Sequence, residues 1–282
     1  MRPAVCTSLR CSSSSKEKFL TQPIITLTTD YGTNDHLVGT LKGVILKINP
    51  EATIVDICHN VVPFDVLDAA LCIGSAYKYF PPRTIHLVVV DPGVGTQRRP
   101  LLVSGEQQYF LAPDNGVLSL VYEREQTHSA RHITSEHYFL HPVSNTFHGR
   151  DIFAPVAAWL SKTWQTAAFG EEISDPMRFS LPKPKVAGSE LKGIVLRIDT
   201  FGNLMTNFAA EELPQLTSGG PLHMTVNGKA ITKLAQTYAQ GEAGEAFAIV
   251  GSSGFLEIAV HKGNAARVLE VQRGAEVVLE VK

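Results

Sequence analysis

The stretch IITLTTDYGTNDHLVGTLKGVILKINPEATIVDIC, residues 24–58, decides the fold. It opens on a short apolar run, IITLTTD, then places Leu37, Val38, Leu41, Val44, Ile45 and Ile48 at helical spacing until Asn49 and Pro50 stop the pattern. ATIVDIC follows as a buried strand. Further along, FDVLDAALCIGSAYKYF predicts a helix with Asp65 as N-cap, ended by Pro81 and Pro82, and TIHLVVVD predicts a third strand. Strands alternating with helices predict right-handed βαβ units around a parallel sheet.

In such sheets ligands bind beyond the carboxyl ends of the strands. Three polar loops leave those ends: TDYGTND, HNVVPFD and DPGVGTQRR. The last lies within VVVDPGVGTQRRP, residues 88–100, and puts a carboxylate, Asp91, and a guanidinium, Arg98, on one loop. An ordinary Pro-Gly turn with solvated charges has the same composition. A further amphipathic helix, DIFAPVAAWLSKT, is preceded by NTFHGRD. The polar residues that loops present are thus Asp30, Asp91, Arg98, His148, Asp199 and Asn203. Asp30 can accept from ribose hydroxyls or cap its own turn. His148 can act as a base near neutral pH or simply flank a helix, and DTFGNLMTN is either a ligand loop or a plain β-turn.

Around residues 181–190, LPKPKVAGSE has the composition of a linker. Beyond it KGIVLRID, LHMTVNGKAI with its Asn227-Gly228 hairpin signal, AFAIVG, FLEIAV and AEVVLEV read as short strands between turns. The expected organisation is an α/β N-terminal domain with a largely parallel sheet over residues 23–180, and a smaller C-terminal antiparallel β domain over 191–282. Residues 1–22, Ser-rich with basic residues and no apolar core, read as a disordered tail or a possible transit peptide.

Composition narrows the functional classes. A 282-residue chain with 44% hydrophobic and 18% charged residues can bury a full core, and a formal net charge of −2 offers no footprint for nucleic acid or an anionic membrane. No apolar run approaches the roughly 20 residues of a membrane span. Cys6, Cys11, Cys58 and Cys72 form no CxxC pair and no metal-ligand spacing, so the expectation is free thiols in a reducing compartment: cytoplasmic, or organellar if residues 1–22 act as a transit peptide. GxxxxGK[ST], HExxH, GxSxG and a helix-opening GxGxxG are absent.

Taken in order, LTTDYGTNDHLVG, KGVI, VVPFD, VVDPGVGTQRR, APDNGVLS, TFHGRDIFAPVAA, DTFGNLMTN and GSSGFLEIAVHKGNAA resemble the S-adenosylmethionine hydrolases, or hydroxide adenosyltransferases, relatives of fluorinase and chlorinase. The resemblance implies a barrel-like C-terminal domain and a homotrimer or dimer of trimers, with substrate between the N-terminal domain of one subunit and the C-terminal domain of the next. It implies hydrolysis of S-adenosyl-L-methionine to adenosine and L-methionine by water attack at ribose C5′, without cofactor or metal. Asp91, Arg98 and His148 match the water-activating set, whereas Arg99 has no assigned role. Asp30, Phe64, Asp199, Phe201, Asn203, Ser252, Ser253, Asn264 and Ala265 match substrate-binding positions. Val62 stands where a proline is common and His261 where an asparagine is. Two alternatives accompany this reading: a chlorinase-like halogenase, with an ion in the space Gly149 leaves beside Phe147, and a non-catalytic sensor of the adenosyl ligand.

Overall fold

The computed structural model describes residues 22–214 and 221–280. The tail expected over residues 1–22 falls outside this range except for Gln22, as do Cys6 and Cys11. Strand β1 (Ile24–Thr29), helix α1 (Leu37–Ile48), β2 (Thr53–Cys58), helix α2 (Val66–Ala76) and β3 (Ile85–Val89) follow the predicted alternation. Asp65 caps α2 by accepting the Asp68 N–H, as its position before an apolar run predicts. Strands β4 (Pro100–Ser104), β5 (Tyr109–Pro113), β6 (Ser129–His132) and β7 (Glu172–Ile173) complete a seven-stranded sheet in the order β2-β1-β3-β5-β4-β6-β7. The first four in that order are parallel neighbours, and β4, β6 and β7 join as antiparallel strands.

The period-two alternation of the strands divides the apolar side chains between two faces. Ile85, Leu87 and Val89 pack with Leu41 and Ile45 of α1 and with Val156 and Leu160 of a further helix, α4 (Ala154–Thr163). Val88 and Val90 face the other way, onto Ala69 and Ile73 of α2 and Val121 of α3 (Ser119–Arg124). Burial on both faces explains why these strands read as continuous apolar runs. The pairings Thr28 with Cys58 and Thr29 with Val89 bring the carboxyl ends of β1, β2 and β3 level, so the three polar loops leave one edge together.

The C-terminal domain is a nine-stranded sheet curled into a half-barrel. Its path runs from β12 (Lys229–Ile231) through β11 (Met224–Val226), β16 (Glu276–Glu280), β9 (Glu190–Ile198), β10 (Leu204–Ala209), β15 (Phe255–Val260) and β14 (Ala246–Val250) to β13 (Leu234–Ala235). All neighbours are antiparallel except β13 and β14. Asn227 and Gly228 both take positive φ between β11 and β12, which is the twist a two-residue hairpin requires. The stretch expected as a linker contains β8 (Lys185–Ala187), which pairs with β9.

Within one chain the two domains meet along α2. Ala70 and Leu71 bury against Leu196, with Leu67, Ile194 and Met205 around them. Charged pairs flank this seam: Arg197 Nε lies 3.0 Å from Asp68 Oδ1, and Arg273 pairs with Asp65. Asp68 is buried, and its second oxygen accepts the Val62 N–H at 3.0 Å, so one carboxylate ties the loop after β2 to the C-terminal domain. Asp68→Ala is expected to cost about 1–3 kcal/mol, the usual penalty for orphaning such partners. The measurement is a lower urea midpoint with an unchanged m-value.

Candidate active site

Asp91 and Arg98 leave β3 on one loop, and His148 sits 50 residues on from Arg98 at the entry to a wide helical turn. Gly93 keeps the loop close, and Gly95, at φ +77°, runs so near the Asn145 carbonyl that a Cβ would overlap it. The Asp91 loop and the segment before His148 are thereby packed backbone to backbone. Gly149–Phe153 forms a π-turn, with the Ala154 N–H reaching back to the Gly149 carbonyl. Pro155 follows with no N–H to give the Asp151 carbonyl, which accepts instead from Leu140 at 2.8 Å. Asp151, fully buried, braces the segment from inside by accepting the Ser144 N–H at 2.8 Å and pairing with Arg150 Nε at 2.6 Å.

Arg98 joins the set. Its Nε lies 2.9 Å from each oxygen of Asp91, and its Nη2 donates to Asp91 Oδ2 at 2.5 Å and to His148 Nδ1 at 2.7 Å. Both charged side chains are nearly dry, 8% exposed for Arg98 and 6% for Asp91. Arginine has only donors, so Nδ1 of His148 is an acceptor and the proton of the neutral ring sits on Nε2. Desolvation, and then the facing Arg98 cation, hold the His148 imidazolium below its usual range, with Asp91 and Asp151 pulling the other way. Arg98 Nη1 is buried without a protein partner among the described residues.

Beside this chain of contacts lies a cavity of about 250 Å³ lined by residues of all three loops, Asp30, Tyr31, Phe64 and Asp91 among them, together with Thr146 and Gly149 on either side of His148. Asp30 is more than a turn cap. One of its oxygens accepts the Phe64 N–H at 2.9 Å from another loop, and the other has no protein partner among the described residues. Phe64 is held at φ +66°, a costly conformation for an aromatic residue, with 72% of its surface exposed at the cavity. The cavity therefore carries two carboxylates and an aromatic rim.

The C-terminal candidates form a separate group, and none of them lines this cavity. Asp199 Oδ1 accepts the Phe201 and Asn203 N–H groups at 2.9 and 2.8 Å, and Oδ2 accepts from Asn203 Nδ2 at 2.9 Å, so this carboxylate organises its own turn. Asn264 caps the short helix Ala265–Leu269, and the Gly202 carbonyl accepts the Ala266 N–H at 3.0 Å. Phe201 is 76% exposed. Ser252 and Ser253 line a small hollow with Ser75, Lys78, Tyr79 and Arg124, and Ser253 Oγ is buried there without a partner among the described residues.

Two residues carry more than sequence reading gave them. Tyr31 stands inside the quoted TDYGTND loop, so position alone could have nominated it; its hydroxyl occupies the space beside Gly149, 2.6 Å from where a Cβ would lie. The space expected for a halide is thereby filled. Arg99, adjacent to Arg98 and given no role, clamps the domain by donating to Asp114 Oδ2, Asp175 Oδ1 and the Asp175 carbonyl, each at 2.8 Å.

Comparison with known proteins matches both domains to one family. Residues 25–170 match the SAM hydroxide adenosyltransferase N-terminal domain and residues 193–278 the C-terminal domain of the same family. The chain is 34% identical over 258 residues to the (R)-S-adenosyl-L-methionine hydrolase of Methanocaldococcus jannaschii, covering 88% of this chain and 92% of that one. It is 30% identical over 292 residues to a fluorinase of Nocardia brasiliensis, covering 92% and 97%. A crystal structure of an uncharacterized conserved protein from Thermotoga maritima superposes with a TM-score of 0.83 at 39% identity, covering 90% of this chain and 99% of that one.

The neighbouring arginines separate structure from chemistry. Arg99→Ala leaves Asp114, only 5% exposed, without its countercharge, and is expected to cost about 1–3 kcal/mol in urea titration while leaving the Asp91–Arg98–His148 contacts intact. A variant as stable as the parent would show that the clamp contributes nothing.

Proposed function

Because the chain belongs to the SAM hydroxide adenosyltransferase family, we propose that it hydrolyses S-adenosyl-L-methionine to adenosine and L-methionine. The observation that carries the reading is the Asp91–Arg98–His148 chain, assembled from two segments and delivered to the wall of a cavity through Asp91. A sensor of the same ligand has no use for such a set. A halogenase needs room for an anion, which the Tyr31 hydroxyl and two carboxylates deny.

The chemistry follows from the substrate. A sulfonium carries its own leaving group, so no cofactor or metal is required. Water forms a bond to C5′ while the C5′–S bond breaks with its electron pair on sulfur, releasing neutral methionine. The attacking oxygen becomes an oxonium, a stronger acid than any carboxylic acid, so a carboxylate suffices as the proton acceptor. His148 already spends its Nδ1 lone pair on Arg98, which leaves Asp91 as the acceptor on the cavity wall. Arg98 fixes the carboxylate and supports the developing hydroxyl, and His148 locks Arg98 in place. Asp30, with one oxygen free, accepts from the ribose hydroxyls, and Phe64 lies against the sugar and sulfur. The M. jannaschii relative's name specifies the (R) sulfonium, and we extend that preference to this chain.

We further propose a homotrimer or dimer of trimers in which the cavity of one subunit is closed by the Asp199–Asn203, Ser252–Ser253 and Asn264–Ala265 elements of the next. Their separation from the cavity within one chain, and the exposure of Phe64 and Phe201, support this arrangement. No nucleic acid or membrane partner is invoked; among the described residues no helix is long and apolar enough to cross a membrane.

Reaction in labelled water should place solvent oxygen in the adenosine 5′-hydroxyl; adenosine free of label would remove the mechanism. Arg98→Ala should lower turnover about a hundredfold with little change in KM. The pH profile follows from His148: its ring is neutral above about pH 6.5 and gains a proton against Arg98 only as pH falls through its lowered value. Turnover should therefore hold steady down to about pH 6.5 and decline on the acid side below it, and His148→Gln should lack that histidine limb. Mixed assemblies of Asp91→Ala and Ser253→Trp subunits should recover activity; verified mixed trimers without recovery would place each site within one chain.

A further inference from the structure

The mechanism above leaves one polar group of the cavity unused. Tyr31 lines the cavity together with Asp30 and Asp91, and its hydroxyl has no hydrogen-bond partner among the described residues. It is held there by shape: its ring meets Phe147 edge-on at 5.9 Å, and its oxygen lies over Gly149, on the side of that residue where Val89 and Leu41 also close in. Any side chain at position 149 would displace it. Desolvation, then the Asp30 and Asp91 charges, push the phenol pKa well above its ordinary value, so the group stays neutral and protonated throughout the working range.

A neutral hydroxyl within the field of two carboxylates treats nucleophiles unequally. Water can accept the phenol O–H on one lone pair, give a proton to Asp91 and keep its other lone pair for C5′. A halide has no proton to give and meets the two negative charges, with the space above Gly149 already filled. We propose that Tyr31 selects the nucleophile of this enzyme, its hydroxyl holding the attacking water against Asp91 and occluding the position an anion would take. This inference rests on hydrolysis of S-adenosylmethionine in this cavity. In the selected step the water oxygen bonds to C5′, the C5′–S electron pair leaves with methionine, and one water proton passes to Asp91 and then to solvent. Were chloride admitted, it would displace methionine in the same way with no proton to transfer, giving 5′-chloro-5′-deoxyadenosine.

The test compares the parent enzyme with Tyr31→Phe at saturating S-adenosylmethionine, in chloride-free buffer and in high chloride, with adenosine and 5′-chloro-5′-deoxyadenosine separated by chromatography. The parent should form adenosine at a rate indifferent to chloride. Tyr31→Phe should lose about tenfold in turnover, the equivalent of one hydrogen bond, keep its KM within about twofold, and form the chlorinated nucleoside in high chloride. Gly149→Ala should mimic this loss in the parent and cost less once Tyr31 is already phenylalanine, because the two changes act on one oxygen. Unchanged turnover in Tyr31→Phe, or a raised KM without chlorinated product, overturns the proposal. A parent enzyme that forms no adenosine would instead sink the hydrolase reading itself, which keeps the two failures apart.

Discussion

An arginine side chain can only donate, and the site is organised around that constraint. Arg98 needs acceptors on its inner edge once it is withdrawn from water, and it finds them on two segments distant in sequence: the Asp91 carboxylate on its own loop and the His148 ring 50 residues away. A dehydrated guanidinium engaged through Nε and Nη2 fixes both partners, because moving either leaves a further buried donor unmet. The local oddities of the sequence serve the same end. Gly95 allows the two backbones to touch, the π-turn after His148 widens the helix entry, and Pro155 frees the Asp151 carbonyl to anchor Leu140.

Electrostatics then distinguish the species that visit the cavity. Asp30 and Asp91 make it attractive to a sulfonium and able to hold water. Departure of neutral methionine removes the positive charge that held the substrate, so on the proposed reaction the same two carboxylates that favour binding do not retain the products. Arg98, which holds both oxygens of Asp91, fixes the orientation of that carboxylate on the cavity wall.

Much of this was legible in the chain itself. Continuous apolar runs separated by a helical period announce buried parallel strands, Asp65 before VLDAAL announces a cap, and Asn227-Gly228 announces a hairpin; each is a local steric or hydrogen-bonding preference. What was not legible is non-local. Nothing in the local spacing says that β4 lies antiparallel between β5 and β6, because strand order depends on which apolar faces meet. Arg98 and Arg99 are chemically identical neighbours, and only the fold shows that one reaches the cavity wall through Asp91 while the other clamps Asp114 to Asp175. Tyr31 and Gly149 are 118 positions apart, so the fit of a hydroxyl over a missing side chain leaves no trace in sequence spacing. The strand Lys185–Ala187 was hidden for a different reason: its flanking prolines and glycine carry linker composition, and pairing with β9 overrides it.

The loop between β2 and α2 shows how the two domains of one chain divide the work. Phe64 sits in a left-handed conformation that an aromatic residue does not adopt unaided, and the surrounding bonds hold it there. Asp30 accepts its N–H, Asp68 accepts the N–H of Val62, and Asp65 caps the helix that follows. Two of these three carboxylates are in turn held by arginines of the chain's own C-terminal domain, Asp68 by Arg197 and Asp65 by Arg273. The C-terminal domain therefore already acts on the cavity from behind, through the floor that positions Phe64, without contributing a residue to its lining. The elements proposed to meet ligand, the Asp199 turn and the Ser252–Ser253 loop, do not line that cavity, and the Asp199 turn is ordered by its own hydrogen bonds. A platform that does not line its own cavity is free to meet that of another copy on the proposed assembly, in which each C-terminal domain would brace one site and close the next, so loosening a single seam would disturb two sites at once.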